Sequence, residues 1–265
     1  MRNGYHSVDA PRPSAGRRPL VVGIGIGLLT WSLLASGLAS AQVISISSCP
    51  VVISQPGSYI VTQDLTCPTP AVAITITASS VVLNLGGHRV SGGMSHGIAV
   101  GAVSGVTILN GTIAGFGGDG LVLESTNQSL VSRMTVTSNG GIGIVADKAN
   151  SNEITQTAIS NNAYGIVLSN SASSNAVITN TVTSSANGGI ILYNGANNNL
   201  IWLNTLTGNG GFGGIVVANS TGNLISSNTA TGNAPVDLFD SSATCDANLW
   251  ASNAFGSANP PSCIH

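Results

Sequence analysis

From Gly97 onward the chain repeats itself. A glycine followed by isoleucine or leucine returns at Gly97, Gly120, Gly143, Gly165, Gly189 and Gly214, at steps of 23, 23, 22, 24 and 25 residues. Other columns return behind it. Val131, Ile154, Val177, Ile201 and Ile225 form one; Val136, Ile159, Val182, Leu206 and Ala230 form another. Asn152, Asn175, Asn199 and Asn223 form a third, and Asn139, Asn161, Asn209 and Asn233 a fourth, with Ser185 filling its gap. Repetition at a period of 20–50 residues is the mark of stacked architectures.

Within each phrase the apolar residues alternate, as Ile166 and Leu168 do around Val167. That is the period of a strand, not of a helix. A repeat of two or three short strands cannot bury an apolar face alone. It can if each repeat is one coil stacked on the next, about 4.8 Å away. The Leu-x-x-Leu-x-Leu frame of a leucine-rich repeat is missing, and a propeller blade needs about 40 residues. The expected fold is all-β: a single-stranded parallel solenoid of about seven coils of 22–25 residues over 71–240. Valine, isoleucine and leucine stack inside. Asparagine and glycine take the corners, where asparagine tolerates left-handed backbone and bonds to its copies above and below.

The pattern resembles a right-handed parallel β-helix of the pectin-lyase-like superfamily. It is closest to the NosD-like repeat subgroup, which includes periplasmic accessory proteins of nitrous oxide reductase. The superfamily hosts lyases, hydrolases, epimerases, tailspikes and non-catalytic proteins, so the resemblance implies fold more than function.

The ends differ from the repeats. Residues 1–41 read as an export signal: Arg12, Arg17 and Arg18, an apolar run, then Ala39-Ser40-Ala41 as cleavage site. The expected location is extracytoplasmic, secreted or periplasmic, with no membrane span left after cleavage. Cys49, Cys67, Cys245 and Cys263 are then placed to oxidise. Three connectivities are possible; Cys49–Cys67 and Cys245–Cys263, each 18 apart, are the expected pair. They would close an N-terminal cap over 42–70, a hairpin turning at Pro56-Gly57, and a C-terminal cap over 241–265 plugged by Trp250 and Phe255.

Beyond residue 41 the only bases are Arg89, Arg133 and Lys148, against eight acids. Nucleic acid is excluded as a partner, since its phosphates require basic clusters.

Six charged residues crowd between Asp119 and Glu153. Glu124 and Asp147 each lie four residues after the repeat glycine, in a column that continues through Ser169, Tyr193 and Ala218. Alternation points this column outward, so two carboxylates sit one coil apart, a spacing near that of a retaining glycosidase pair. The bland reading is a solvated surface pair offset by Lys148 and Arg133. The sharper readings are a ligand patch of Asp119, Glu124, Asp147, Tyr193 and Trp202, whose aromatics would stack on sugar rings, or a catalytic set of Glu124, Asp147, Lys148 and Arg133. Against catalysis, the family's motifs are missing. Ser95-His96-Gly97 only echoes the Gly-His-Gly of polygalacturonases, and the Asn-Thr pairs at Asn180, Asn204 and Asn228 lack the aspartate that would follow. The Asp-Pro-His-Glu run of alginate epimerases is absent too. With the cysteines paired, ligands are too few for a metal site, and no cofactor is expected.

Beside the acidic column runs an outward apolar one: Ala99, Val122, Val145, Val167, Ile191 and Val216. Six coils make a stripe on the order of 25 Å long. The C-terminal segment from Ser241, a polymer, or a second copy meeting Val122, Val145, Val167, Ile191 and Val216 would cover it. The expected role is binding or scaffolding towards polysaccharide or another surface polymer. The alternatives are a carbohydrate-active enzyme and, through the NosD-like resemblance, an accessory role in copper handling.

Overall fold

The computed structural model describes residues 42–67, 71–242 and 244–264. The predicted export signal lies outside them. The described chain is a right-handed parallel β-helix of about nine turns with almost no helix. A ten-stranded sheet runs from Val51–Ile53 to Ala258–Asn259, one strand per coil. A 17-stranded sheet carries two strand tracks side by side, continuous only in the long strands Thr107–Ala114 and Leu130–Thr137. Among the described residues the strands pair in parallel, as in Leu121↔Ile144↔Ile166↔Ile190↔Ile215.

The repeat columns are the stack. Ile166, Leu168, Val177 and Val182 point inward from one coil and are fully buried. Burying such a side chain contributes about 1.5–3 kcal/mol, repeated coil after coil. The repeat glycine has a steric cause. A Cβ on Gly120 would meet Val136 Cγ1 at 2.5 Å and Gly143 O at 2.7 Å. The third strand of each coil presses its aliphatic side chain into that space.

At the corners a residue with left-handed backbone precedes an inward polar one. Ser151, Ser174 and Asn198 have φ of 58°, 57° and 56°, and Asn152, Asn175 and Asn199 behind them are buried. The left-handed residue breaks strand alternation, so two successive side chains do not simply swap faces. Each buried asparagine then bonds up and down the stack. Asn175 Nδ2 donates to Ala149 O at 2.9 Å and to Asn199 Oδ1 at 3.0 Å, and Asn175 N donates to the same Oδ1 at 2.9 Å. Three such ladders run along the helix. One of them passes through Asn180, Asn204, Asn228 and Asn253. The third corrects one sequence expectation. Its member is Asn162, whose Oδ1 accepts from Asn139 N at 2.9 Å. Asn161 is the exposed left-handed residue before it, with φ 54°.

Both disulfides form as expected, Cys49–Cys67 and Cys245–Cys263. The segments they close differ from the expected caps. Val51–Ile53 and Gly57–Val61 do not form a hairpin about Pro56-Gly57. They join different sheets, pairing in parallel with Ile74–Ile76 and Val81–Asn84. The C-terminal segment likewise continues the stack through Leu249–Ala251, Ala254–Phe255 and Ala258–Asn259. This raises the coil count above seven. Trp250 is buried in the core, with Phe255 partly buried beside it.

Candidate functional site

The outer face of the ten-stranded sheet carries three adjacent columns. The middle one is the apolar stripe, in the expected register: Val122↔Val145↔Val167↔Ile191↔Val216↔Phe239. Its side chains face outward but are not open. Val145, Val167, Ile191 and Val216 are only 4–8 % exposed. Each β-branched side chain lies against its copies one coil away, and Ile142, Tyr164 and Phe239 pack alongside. The segment from Ser241 does not cover them, because its strands extend the stack instead.

One flanking column is Glu124↔Asp147↔Ser169↔Tyr193↔Ala218. Glu124 is exposed, whereas Asp147 is wired in. Asp147 Oδ1 accepts from Ser169 Oγ at 3.0 Å and from the Asn170 side-chain amide, and Asn170 Oδ1 accepts from Asn194 Nδ2. The other flank brings Ile142↔Tyr164 into line, with Asp119 one coil earlier. Asp119 Oδ1 accepts from Ile142 N at 2.7 Å, and its Oδ2 lies 3.3 Å from His96 Nδ1. His96 Nδ1 also accepts from Asp119 N at 3.0 Å, which places the ring's proton on Nε2.

The three columns make a trough with unlike ends. Towards the C-terminus its walls are aromatic. Tyr164 and Phe212 stack with ring centroids 6.5 Å apart, and Tyr193 stands opposite, 42 % exposed. With Ile142, Val167, Ile191, Val216 and Ala218 they line a hollow of about 370 Å³. Phe212 is shared with a second hollow lined by Pro235, Val236 and Phe239, which extends the surface along the axis. Towards the N-terminus the rims carry Asp119 on one side and Glu124 and Asp147 on the other.

The structure thus gathers Asp119, Glu124, Asp147 and Tyr193 on one face. Trp202 lies elsewhere, in the 17-stranded sheet between Ile178 and Ser226. Arg133 is also on that sheet, in left-handed conformation at the bend of Leu130–Thr137. Lys148 follows Asp147, but no ion pair joins it or Arg133 to the carboxylates. Among the described residues the close imidazole–carboxylate contacts are His88 with Asp64 and His96 with Asp119, and neither brings Lys148 or Arg133 to a carboxylate. Tyr164 and Phe212 were not singled out in the sequence. The signal was there: Tyr164 immediately precedes a repeat glycine, where the neighbouring coils carry Asp119 and Ile142.

The stacked parallel sheets define the class of the chain, a right-handed parallel β-helix solenoid. Within that class the chain belongs to the NosD family, described as periplasmic copper-binding protein, whose model matches residues 44–212. Among solved structures, a mutant of the periplasmic alginate epimerase AlgG superposes with TM-score 0.57 at 15 % identity, covering 77 % of this chain and 55 % of that one. The mannuronan C-5 epimerase AlgE6 A-module of Azotobacter vinelandii gives 0.53 at 14 %, covering 82 % and 65 %. The Dettilon tailspike protein gives 0.52 at 16 %, covering 82 % and 54 %. The chain spans between about half and two thirds of these proteins, and at such identities the likeness speaks for fold alone. No curated protein matches in sequence.

The family's description raises copper. Copper centres are built from imidazole, thiolate or thioether ligands converging on one point. All four cysteines are in disulfides. Among the described residues no three His, Cys, Asp or Glu side chains converge, and His88 and His96 each lie against a different aspartate. The described histidines, cysteines and carboxylates thus do not make up a resident copper centre among themselves.

Proposed function

We propose that this chain is a non-catalytic glycan-binding protein of the cell envelope, taking an extended polysaccharide along the outer face of its ten-stranded sheet. The observation that carries this reading is the aromatic trough. Sugar rings present C–H faces that stack on aromatic side chains, and Tyr193 opposite the Tyr164–Phe212 stack offers two such platforms over an aliphatic floor. A flat parallel sheet suits an extended polymer because it repeats its contacts at each coil. The periplasmic family and the two disulfides favour an extracytoplasmic place of action. Catalysis is disfavoured by the company Glu124 and Asp147 keep. Asp147 is held by neutral hydrogen bonds, and no base is paired with either carboxylate.

The test is a glycan array beside reducing-sugar and unsaturated-product assays on pectin, alginate and chondroitin. The expected result is array binding that Tyr193→Ala and Phe212→Ala abolish, without product release. Turnover that Glu124→Gln removes would replace this reading with an enzyme.

A further inference from the structure

The trough is chemically lopsided, and the lopsidedness names a ligand class. Counting along the register, Tyr193, Ser169, Asp147 and Glu124 follow at one coil per step, and Asp119 lies on the facing rim in the column of Tyr164. A glycan ring stacked at the aromatic end therefore continues, two to three rings on, between carboxylates. Their arrangement leaves acceptor capacity facing the trough. Glu124 is exposed, makes no ion pair, and repeats one coil from Asp147. The coil step of about 4.8 Å is comparable with the advance per ring of a β-linked polymer, so successive rings meet successive side chains. A uronate polymer would bring like charge onto this end. A polymer of amino sugars brings ammonium groups, each able to donate to a carboxylate.

We infer that the trough binds a cationic, free-amine hexosamine polymer, its ring faces stacked at Tyr193, Tyr164 and Phe212 and its ammonium groups received by Glu124 and Asp147. The inference rests on the glycan reading above and adds its charge selectivity. The acidic balance of the described chain complements the same ligand at long range.

The experiment is isothermal titration calorimetry of the oxidised protein, in chelator, with three hexamers: chitosan, its fully N-acetylated counterpart, and oligogalacturonate. The pH is one at which the chitosan amines are protonated. The expected result at low salt is chitosan binding about tenfold tighter than the acetylated hexamer, with the gap closing near 1 M salt, where the Debye length falls to about 3 Å. Glu124→Gln narrows the gap and Glu124→Lys reverses it; Glu124 is exposed, so folding is not at stake. Tyr193→Ala weakens both hexamers together. Equal affinity for the first two hexamers, or tighter binding of oligogalacturonate, overturns the charge inference and leaves the glycan reading standing. Binding of none of the three overturns both.

Discussion

Ser185 and Asn209 occupy successive rungs of one buried ladder, and the link between them is incomplete. Ser185 N donates to Asn209 Oδ1 at 3.0 Å, but Ser185 Oγ is buried without a hydrogen-bond partner. At the next rung, Asn209 gives both its backbone N–H and its Nδ2 to Asn233 Oδ1, at 3.0 and 2.9 Å. Serine is too short to do the same, and it offers no side-chain carbonyl to Asn162 on the coil before. Ser185→Asn is therefore expected to stabilise the protein by about 1 kcal/mol, seen as a raised midpoint in urea with unchanged slope. The complementary change, Asn204→Ala, takes away the acceptor of the buried Asn180 N and one of the two acceptors of Asn180 Nδ2, and is expected to cost about 2–3 kcal/mol. A Ser185→Asn variant less stable than its parent would mean that the gap holds a water the ladder needs.

The repeat glycine makes a second prediction. A Cβ at Gly120 would lie 2.5 Å from Val136 Cγ1 and 2.7 Å from Gly143 O. The first contact belongs to a core side chain and the second to backbone, so neither yields cheaply. Gly120→Ala is expected to destabilise by about 1–3 kcal/mol, although glycine to alanine in open space stabilises. Pairing it with Val136→Ala tests the cause, because that change removes the nearer clash. The double variant should then lose less than the two single losses added.

The stack itself was legible in the sequence because its inward columns are β-branched and recur at a near-constant step. What misread did so at corners. Asn161 and Asn162 are adjacent asparagines. Choosing the inward one depends on which residue is left-handed, and composition does not distinguish them. Pro56-Gly57 signals a turn equally in a hairpin and at a solenoid corner. Only the parallel pairing of Gly57 with Val81 separates the two. Tyr193 and Trp202 both read as outward, yet a corner lies between them, and each belongs to a different sheet. The stripe from Val122 to Val216 read correctly as outward but not as open. Side chains one coil apart cover one another, and that relation lies outside any local window.

The C-terminal end of the third ladder rests on a charge. Asp237 Oδ1 accepts from Asn233 N and Nδ2, both at 2.9 Å. Its Oδ2 takes Gly256 N, Ser257 N and Ser257 Oγ at 2.9, 3.0 and 3.2 Å. Burial pushes this carboxyl up, but the hydrogen bonds from Asn233, Gly256 and Ser257 outweigh it and hold it below the ordinary carboxylate value of 3.8. A depressed folded-state pKa stabilises above the unfolded value and loses that contribution as pH falls through the folded one. Stability is thus expected to fall below about pH 4, with the last coils opening first in hydrogen exchange. Asp237→Asn places an amide donor against the Gly256 and Ser257 donors. It is expected to cost about 2–3 kcal/mol at neutral pH and to flatten the acid limb. An unchanged acid limb in that variant would assign the pH dependence to other carboxylates.

The outward stripe supplies the last prediction, and its two readings separate cleanly. Val145, Val167, Ile191 and Val216 form an apolar cluster of their own outside the coil, Val167 only 4 % exposed. If that cluster serves only the fold, Val167→Thr loses transfer energy and buries a hydroxyl, at about 1–2 kcal/mol, while sedimentation and glycan affinity stay as they were. If the cluster is also the floor of the trough, the same change weakens hexamer binding beyond what the stability loss explains, because the ligand's apolar ring faces meet a polar atom at the centre of the hollow. Val167 lines that hollow and Val145 does not, so Val145→Thr is the control. The expected outcome is a stability loss in both variants and a binding loss of several-fold in Val167→Thr alone, read by urea titration and calorimetry on the same samples. A drop in sedimentation coefficient in either variant would instead show that a second copy had been covering the stripe.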